Sequence, residues 1–157
     1  MNLKVTAPGV RRVPDDLKVG RAAAWLSKQV ELGLGSVELS LPQYRVLAML
    51  EETSALSSDL AERLAVRPPT VTAVVDGLVT RGMVERRTVE GDRRRVDHVL
   101  TEHGREVLAR ADTAVDARLC EIAGHLESPA ATEQAVEGLA LWRRALVASR
   151  LARRADR

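Results

Sequence analysis

Apolar residues recur at helical spacing along most of the chain, and polar or glycine-containing turns separate the blocks. In the first block Ala22, Leu26 and Val30 repeat every four positions, and Gly33 and Gly35 follow them. Such a repeat places the apolar side chains on one helix face, and glycine is typical of a helix end. The pattern predicts a first helix over about residues 15–35.

The segment SLPQYRVLAMLEE predicts a second helix. Ser40 and Gln43 have the spacing of a capping box, in which each side chain bonds the backbone N–H of the other residue. Val46, Leu47 and Leu50 then fall on one face.

Two further helices are joined by a short turn. A helix over about residues 58–64 stops before Arg67, and another begins at Pro68 and Pro69, where the fixed backbone angle of proline suits a first turn. The apolar face of this next helix consists of Val71, Val74, Val75 and Leu78. Its opposite face is small and mostly polar, and Gly82 is expected to end it. The pattern predicts a helix-turn-helix.

The next segments, MVERRTV and RVDHVL, alternate apolar and polar residues on either side of EGDRR. Alternation around a turn with Gly91 predicts two antiparallel strands. Thr101 is then expected to cap a long helix that breaks near Pro129, and a last helix follows over about residues 133–151. The apolar stripe of the long helix consists of Leu108, Ala111, Val115, Leu119, Ile122 and Leu126, and that of the last helix of Leu139, Trp142 and Leu146.

The order of elements predicts a mainly α fold with a small β-hairpin wing. The 157 residues suit one domain, and with 2% aromatic residues and no Phe the core must be built from Ala, Val and Leu. We expect a flexible N-terminal arm over residues 1–14 and a single domain over 15–157. Within it, a winged helix spans about 41–101, and helices at about 15–35 and 102–152 flank it.

Positive charge is concentrated at the hairpin, although the net charge is only +2. The major groove of duplex DNA admits one α-helix, contacts to phosphates supply register, and a guanidinium fits the minor groove. We therefore expect the second helix of the pair to read DNA and Arg93, Arg94 or both to enter the adjacent minor groove. Asp92 would hold an arginine in place through a charge-assisted pair, and the N–H groups at the start of the reading helix would face a phosphate. The predicted DNA-contacting residues are Arg67, Pro68, Thr70, Thr72, Asp76, Arg81, Arg86, Arg87, Asp92, Arg93, Arg94 and Arg95.

The stretches LAERLAVRPPTVTAVVDGLVTRGMVER and DRRRVDHVLTEHG resemble the MarR family of winged-helix regulators. Asp92 and Arg94 match the Asp-x-Arg wing of that family, and Gly104 matches its strand-to-helix junction. The resemblance implies a homodimer formed by the terminal helices that binds an inverted repeat in double-stranded DNA. It also implies repression until a small aromatic or phenolic effector, or an oxidant, releases the DNA. Family members often carry basic residues where this chain has Ala73 and Gly77, which shifts the expected contacts toward the wing.

The residues themselves support a dimer independently of the resemblance. The first, fifth and sixth helices carry apolar stripes far from the reading module, and a monomer of this size would struggle to bury all of them. A twofold dimer would read half-sites about 10 bp apart from centre to centre. Trp25 and Tyr44 could line an effector pocket between the first two helices and the fifth, although ordinary core packing explains them better.

Other chemistry is weakly supported. His98, His103 and His125 lack ligand partners at useful spacing, so we expect no metal, and nothing indicates a cofactor or an enzyme. Cys120 is expected to be a buried small residue. The absence of an export or membrane-spanning pattern indicates a cytoplasmic protein. The main alternative is a winged helix that docks on an acidic protein instead of DNA.

Overall fold

Six helices and three strands make up the described part of the chain. The computed structural model describes residues 18–52, 54–64, 66–89 and 92–155. The helices are α1 (Val19–Leu34), α2 (Leu41–Glu52), α3 (Ser57–Leu64), α4 (Pro68–Thr80), α5 (Glu102–Ala123) and α6 (Pro129–Ala155), and the strands are β1 (Ala55–Leu56), β2 (Val84–Val89) and β3 (Asp92–Leu100). A single 3₁₀ turn, Gly35–Val37, connects α1 to α2. The mainly α fold with a hairpin wing is confirmed, whereas the predicted arm over residues 1–14 lies outside the described residues.

Local capping chemistry fixes the starts of α2 and α5. The Ser40 N–H donates to the Gln43 side chain at 3.0 Å and the Gln43 N–H donates to Ser40 Oγ at 3.4 Å, so the predicted capping box is present. At the start of α5, Thr101 Oγ1 accepts the Gly104 N–H at 2.9 Å and donates to the Gly82 carbonyl at 2.7 Å. The hydroxyl of Thr101 therefore caps α5 and ties it to the end of α4.

The turn after α4 is set by Gly82. Its φ is +70°, a left-handed conformation that glycine adopts without the usual steric cost. The Gly82 N–H donates to the Val79 carbonyl at 2.9 Å, and the Met83 N–H donates to the Leu78 carbonyl at 2.9 Å. This pair of bonds is a Schellman motif, and it directs the chain from α4 into β2.

The sheet has one strand more than the sequence analysis predicts. Its order is β1-β3-β2 with antiparallel pairing, and β1 pairs Ala55 with His98. The buried His98 ring nitrogen Nδ1 lies 3.0 Å from the Ala55 carbonyl oxygen, which joins the same two strands. A two-residue strand was missed because it has no room for an alternating pattern, and only the pairing with β3 makes it a strand.

The core lies where α2, α4, the sheet and the first half of α5 meet. It includes Leu47 of α2, Leu78 of α4, Val84 of β2 and Leu108 of α5, all almost fully buried. The predicted apolar face of α4 is confirmed, with Val71, Val75 and Leu78 buried and Val74 packed against them. Aliphatic residues fill this core, as the lack of Phe requires.

Several predicted helix bounds and burial states were wrong. Pro129 does not break a helix but begins α6, because Ser128 Oγ accepts the Ala131 N–H and proline suits the first helical position. The last helix is consequently longer than the predicted 133–151. Leu126 lies beyond the end of α5 and is exposed, and Cys120 is exposed because the buried stripe of α5 ends before it.

No helix in the described part of the chain is long and apolar enough to cross a membrane.

Candidate nucleic-acid interface

One face of α4 is polar, small and open to solvent. Thr70, Thr72 and Asp76 are exposed on it, while Val71 and Val75 lie on the buried face. The Thr72 hydroxyl donates to the Pro68 carbonyl at 3.1 Å within the helix, which leaves its oxygen lone pairs facing outward as acceptors. The exposed face is slim enough to enter a major groove.

The start of α4 does not offer the phosphate-binding N–H groups that the sequence analysis expects. Pro68 and Pro69 have no N–H, and the Thr70 and Val71 N–H groups both donate to the Arg67 carbonyl, at 3.0 and 3.4 Å. The expectation is therefore wrong, because the two prolines remove the donors and the first turn uses the next ones. Any phosphate contact at this end must come from side chains such as that of Arg67, which is exposed.

An ion pair connects α4 to the wing. The Arg86 guanidinium on β2 pairs with the Asp76 carboxylate on α4, and both side chains are about half exposed. An exposed pair of this kind adds only about 0–1 kcal/mol to stability. Its main effect is geometric, because it holds the base of the wing beside the middle of the reading helix. Arg87 pairs with Glu85 along the same strand. The sequence analysis named both Asp76 and Arg86 but missed their pairing, which no sequence spacing signals.

Arg81 lies at the other end of α4 from Thr70. The helix of 13 residues is about 20 Å long at 1.5 Å per residue, so the two residues do not share a surface. The Arg81 guanidinium donates from Nη1 to the Glu38 carbonyl at 2.9 Å. The structure therefore groups Arg81 with the connection between α1 and α2 instead of with the other predicted DNA-contacting residues.

The arginine run belongs to the start of β3, not to the turn. Thr88 is opposite Val96, but the next residue of β2, Val89, is opposite Asp92. Three residues, Arg93–Arg95, therefore lie between two consecutive pairing positions, and the ladder is irregular there. The side chains of residues 92–95, and with them the predicted Asp92–arginine pair, lie outside the described residues.

The two candidate effector residues have different surroundings. Trp25 is 72% exposed, so core packing is the wrong interpretation for it in the single chain. Tyr44 is half-buried against the core, and its hydroxyl donates to Asp112 Oδ1 on α5 at 2.6 Å. Burial, followed by the hydrogen bond and the negative charge of Asp112, raises the pKa of Tyr44 well above its ordinary value. Tyr44 therefore joins α2 of the helix-turn-helix to α5.

We expect Tyr44→Phe to remove part of the loss of stability at alkaline pH. Because the pKa of Tyr44 is raised in the folded state, the unfolded chain loses this proton first, from about pH 10. The contribution is fully present below that pH and declines as pH rises further. Urea unfolding of both proteins between pH 8 and 11 measures it, where about is implied by the ordinary tyrosine pKa. Equal alkaline losses in the two proteins would contradict the expectation.

No group of His, Cys, Asp and Glu among the described residues could hold a metal ion. The predicted histidines are dispersed: His98 is buried in the sheet, while His103 and His125 are exposed at opposite ends of α5.

A helix-turn-helix with an exposed polar second helix, followed by a β-hairpin tied to that helix, defines a winged-helix protein. The family model described as MarR family matches residues 38–95. The HTH-type transcriptional repressor Rv2887 of Mycobacterium tuberculosis is 31% identical over 120 residues, which are 73% of this chain and 86% of the relative. The chain belongs to the MarR family.

Solved structures share the whole fold. The complex of Rv2887 with p-aminosalicylic acid has 27% identity and a TM-score of 0.63, over 82% of this chain and 99% of that chain. Wild-type MarR from E. coli, in its apo form, has 20% identity and a TM-score of 0.69, over 87% and 99%. MepR of S. aureus bound to an oligodeoxyribonucleotide has 18% identity and a TM-score of 0.60, over 86% and 99%.

Proposed function

We propose that this protein is a dimeric transcriptional regulator that binds an inverted repeat in double-stranded DNA and represses transcription from it. The observation that carries the proposal is the polar face of α4 beside the arginine-bearing hairpin. The Asp76–Arg86 pair holds the two together. A helix for the major groove and a cationic ribbon for the flanking groove are the two parts that winged-helix recognition of DNA needs. Rv2887 carries the name of a transcriptional repressor, which supports the sign of regulation.

The exposed apolar surface of the terminal helices supports the dimer. Trp25 on α1 and Trp142 on α6 are 72% and 61% exposed, and no described side chain of α6 is buried. The further exposed apolar residues of α6 are Val136, Leu139, Leu141, Leu146 and Val147. Burial of such a surface against a second copy would remove it from water and place two reading helices in twofold symmetry.

A small aromatic ligand is the effector that we propose to release the DNA. The relative Rv2887 has been solved with p-aminosalicylic acid, a small aromatic acid. A regulator that acts on a promoter works beside the chromosome, so the cytoplasmic location remains the prediction.

Selection of binding sites from random duplexes by the purified protein tests the proposal. We expect a palindrome with half-sites about 10 bp apart and a dimer by light scattering. The affinity should fall log-linearly with salt concentration, since each neutralised phosphate releases counterions. The alternative of docking on an acidic protein predicts salt dependence without any preference among sequences. Recovery of no enriched sequence, or a monomer by light scattering, would overturn the proposal.

Thr72→Ala is expected to change the sequence preference more than the overall affinity. The residue is exposed in the second turn of α4, where its acceptor lone pairs point outward. Competition binding with the selected site and with single-base variants measures the effect. Thr80→Ala is a matched control, because the Thr80 hydroxyl makes the same bond, to the Asp76 carbonyl at 2.9 Å, at the far end of the helix. A uniform loss over all sequences would make Thr72 a phosphate contact instead.

A further inference from the structure

A cavity of about 650 Å³ opens between the connection from α1 to α2, the turn after α4 and the first half of α5. This volume is within the range of small-molecule sites. It lies away from Thr70 and Thr72, at the opposite end of α4. It also differs from the candidate effector position, since neither Trp25 nor Tyr44 lines it.

The charged side chains of the cavity are mostly cationic. Arg81, Arg110 and His103 line it, with Glu38 as the single acid. Arg110 has no ion-pair partner among the described residues, and Arg81 makes its described hydrogen bond to a backbone carbonyl instead of a carboxylate. The site therefore holds two guanidinium groups that no carboxylate neutralises, which favours an anion.

The remaining lining residues are largely apolar. Val37, Met83 and Val107 contribute to the wall, and Met83 and Val107 are almost fully buried. His103, Val107 and Arg110 follow one another at helical spacing, so α5 presents a cationic and an apolar group on one face. A ligand that fits needs a negative group for the arginines and a compact apolar body.

Arg81 is positioned by the loop that forms the opposite wall. Glu38 has a left-handed backbone conformation with φ of 54°, which is costly for a residue other than glycine. Its N–H donates to the Gly35 carbonyl, and its own carbonyl accepts the Arg81 guanidinium. The loop thus holds the guanidinium at the mouth of the cavity, and four of its N–H donors are left for other partners.

We propose that this cavity binds a small aromatic carboxylate, with the carboxylate between Arg81 and Arg110 and the ring against Val37, Met83 and Val107. The inference rests on the proposed function, because it assigns a place and a charge to the effector. A ligand held there joins the turn after the reading helix to α5. Its binding therefore couples to the relative position of the reading helix and the dimerisation helices. By linkage, a ligand and DNA that favour different positions weaken each other by the same factor.

Calorimetric titration of the full-length protein, without DNA, tests the binding site. The probes are p-aminosalicylate and its uncharged carboxamide. We expect the carboxylate to bind at millimolar or lower concentration and the amide at least tenfold more weakly. Arg81→Gln and Arg110→Gln should each weaken p-aminosalicylate by about tenfold, which corresponds to one lost charge-assisted contact. Both side chains are exposed, so the variants should fold normally.

Two variants act as controls. Arg105→Gln removes a cation from the same helix, but Arg105 pairs with Glu102 and does not line the cavity, so the affinity should not change. Glu38→Gln removes the single acid of the site and should strengthen p-aminosalicylate binding severalfold, the opposite sign. Tyr44→Phe and Trp25→Ala report on the other candidate effector position.

The proposal is overturned if the wild-type protein binds neither probe, if carboxylate and amide bind equally, or if the arginine variants bind like the wild type. Loss of binding in Tyr44→Phe alone would place the effector at that other position. Failure of the proposed function is distinguishable, because it appears as absence of sequence-specific DNA binding whatever the titrations show.

Discussion

Arg94→Ala is expected to weaken binding to the selected DNA site by about 1–3 kcal/mol, or roughly five- to 150-fold, while the dimer stays intact. The residue lies in the irregular start of β3, where three arginines fall between consecutive pairing positions. A guanidinium carried there at the tip of the wing can enter the narrow minor groove, where the negative potential of DNA is focused. Fluorescence anisotropy with a labelled duplex measures the affinity, and light scattering measures the dimer.

Two further variants separate a specific contact from a loss of charge. Arg94→Lys keeps the charge without the planar fork and should fall between the wild type and Arg94→Ala. Lys28→Ala removes one positive charge from α1, where Lys28 pairs with Glu31, and should leave the affinity nearly unchanged. If Arg94→Ala binds the site as tightly as the wild type, the wing has no part in recognition.

Gly104→Ala is expected to cost about 3 kcal/mol of the free energy of unfolding. A Cβ atom at this position would lie 2.1 Å from the Met83 carbonyl oxygen and 2.8 Å from Leu100 Cδ1. The Met83 carbonyl cannot move away freely, because it accepts the Thr101 N–H at 3.1 Å. The start of α5 would have to separate from the wing. Urea denaturation followed by circular dichroism measures the change.

Gly77→Ala is the matched control in the same module. A Cβ atom there would meet only Gln43 Nε2, at 3.7 Å, which is ordinary contact. Because alanine favours a helix interior over glycine by about 1 kcal/mol, this variant should be neutral or more stable. A Gly104→Ala protein as stable as the wild type would show that α5 and the wing do not pack as closely as the structure places them.

The α4 module illustrates how well local pattern predicts the reading helix. Pro68 at its start, the buried face through Val71 and Leu78, and Gly82 at its end were all predicted, since each follows from interactions within a few residues. The same sequence gave the wrong chemistry for the N-terminus of α4. The two prolines that mark the start also remove its donors, and the direction of the next N–H groups became clear only from the Arg67 carbonyl they share.

The site depends more on distant contacts than the fold does. Arg81 appeared in the sequence as one more member of a basic cluster, yet its guanidinium bonds the carbonyl of Glu38, 43 residues earlier. Trp25 and Cys120 lie on apolar or small-residue helix faces, which suggested burial, but both are exposed in the single chain. A helix face is buried only if another element covers it, and periodicity does not say which element that is.

The sequence by itself determined the order of the helices, the helix-turn-helix, the hairpin and the resemblance to the MarR family. Capping, periodicity and turn chemistry act over a few residues and can be seen in the chain. Only the tertiary structure decided that β1 pairs with β3, that Asp76 pairs with Arg86 across α4 and the wing, and that Arg81 and Arg110 face one cavity. These features join residues far apart in the chain, and their geometry is set by how whole elements pack against one another.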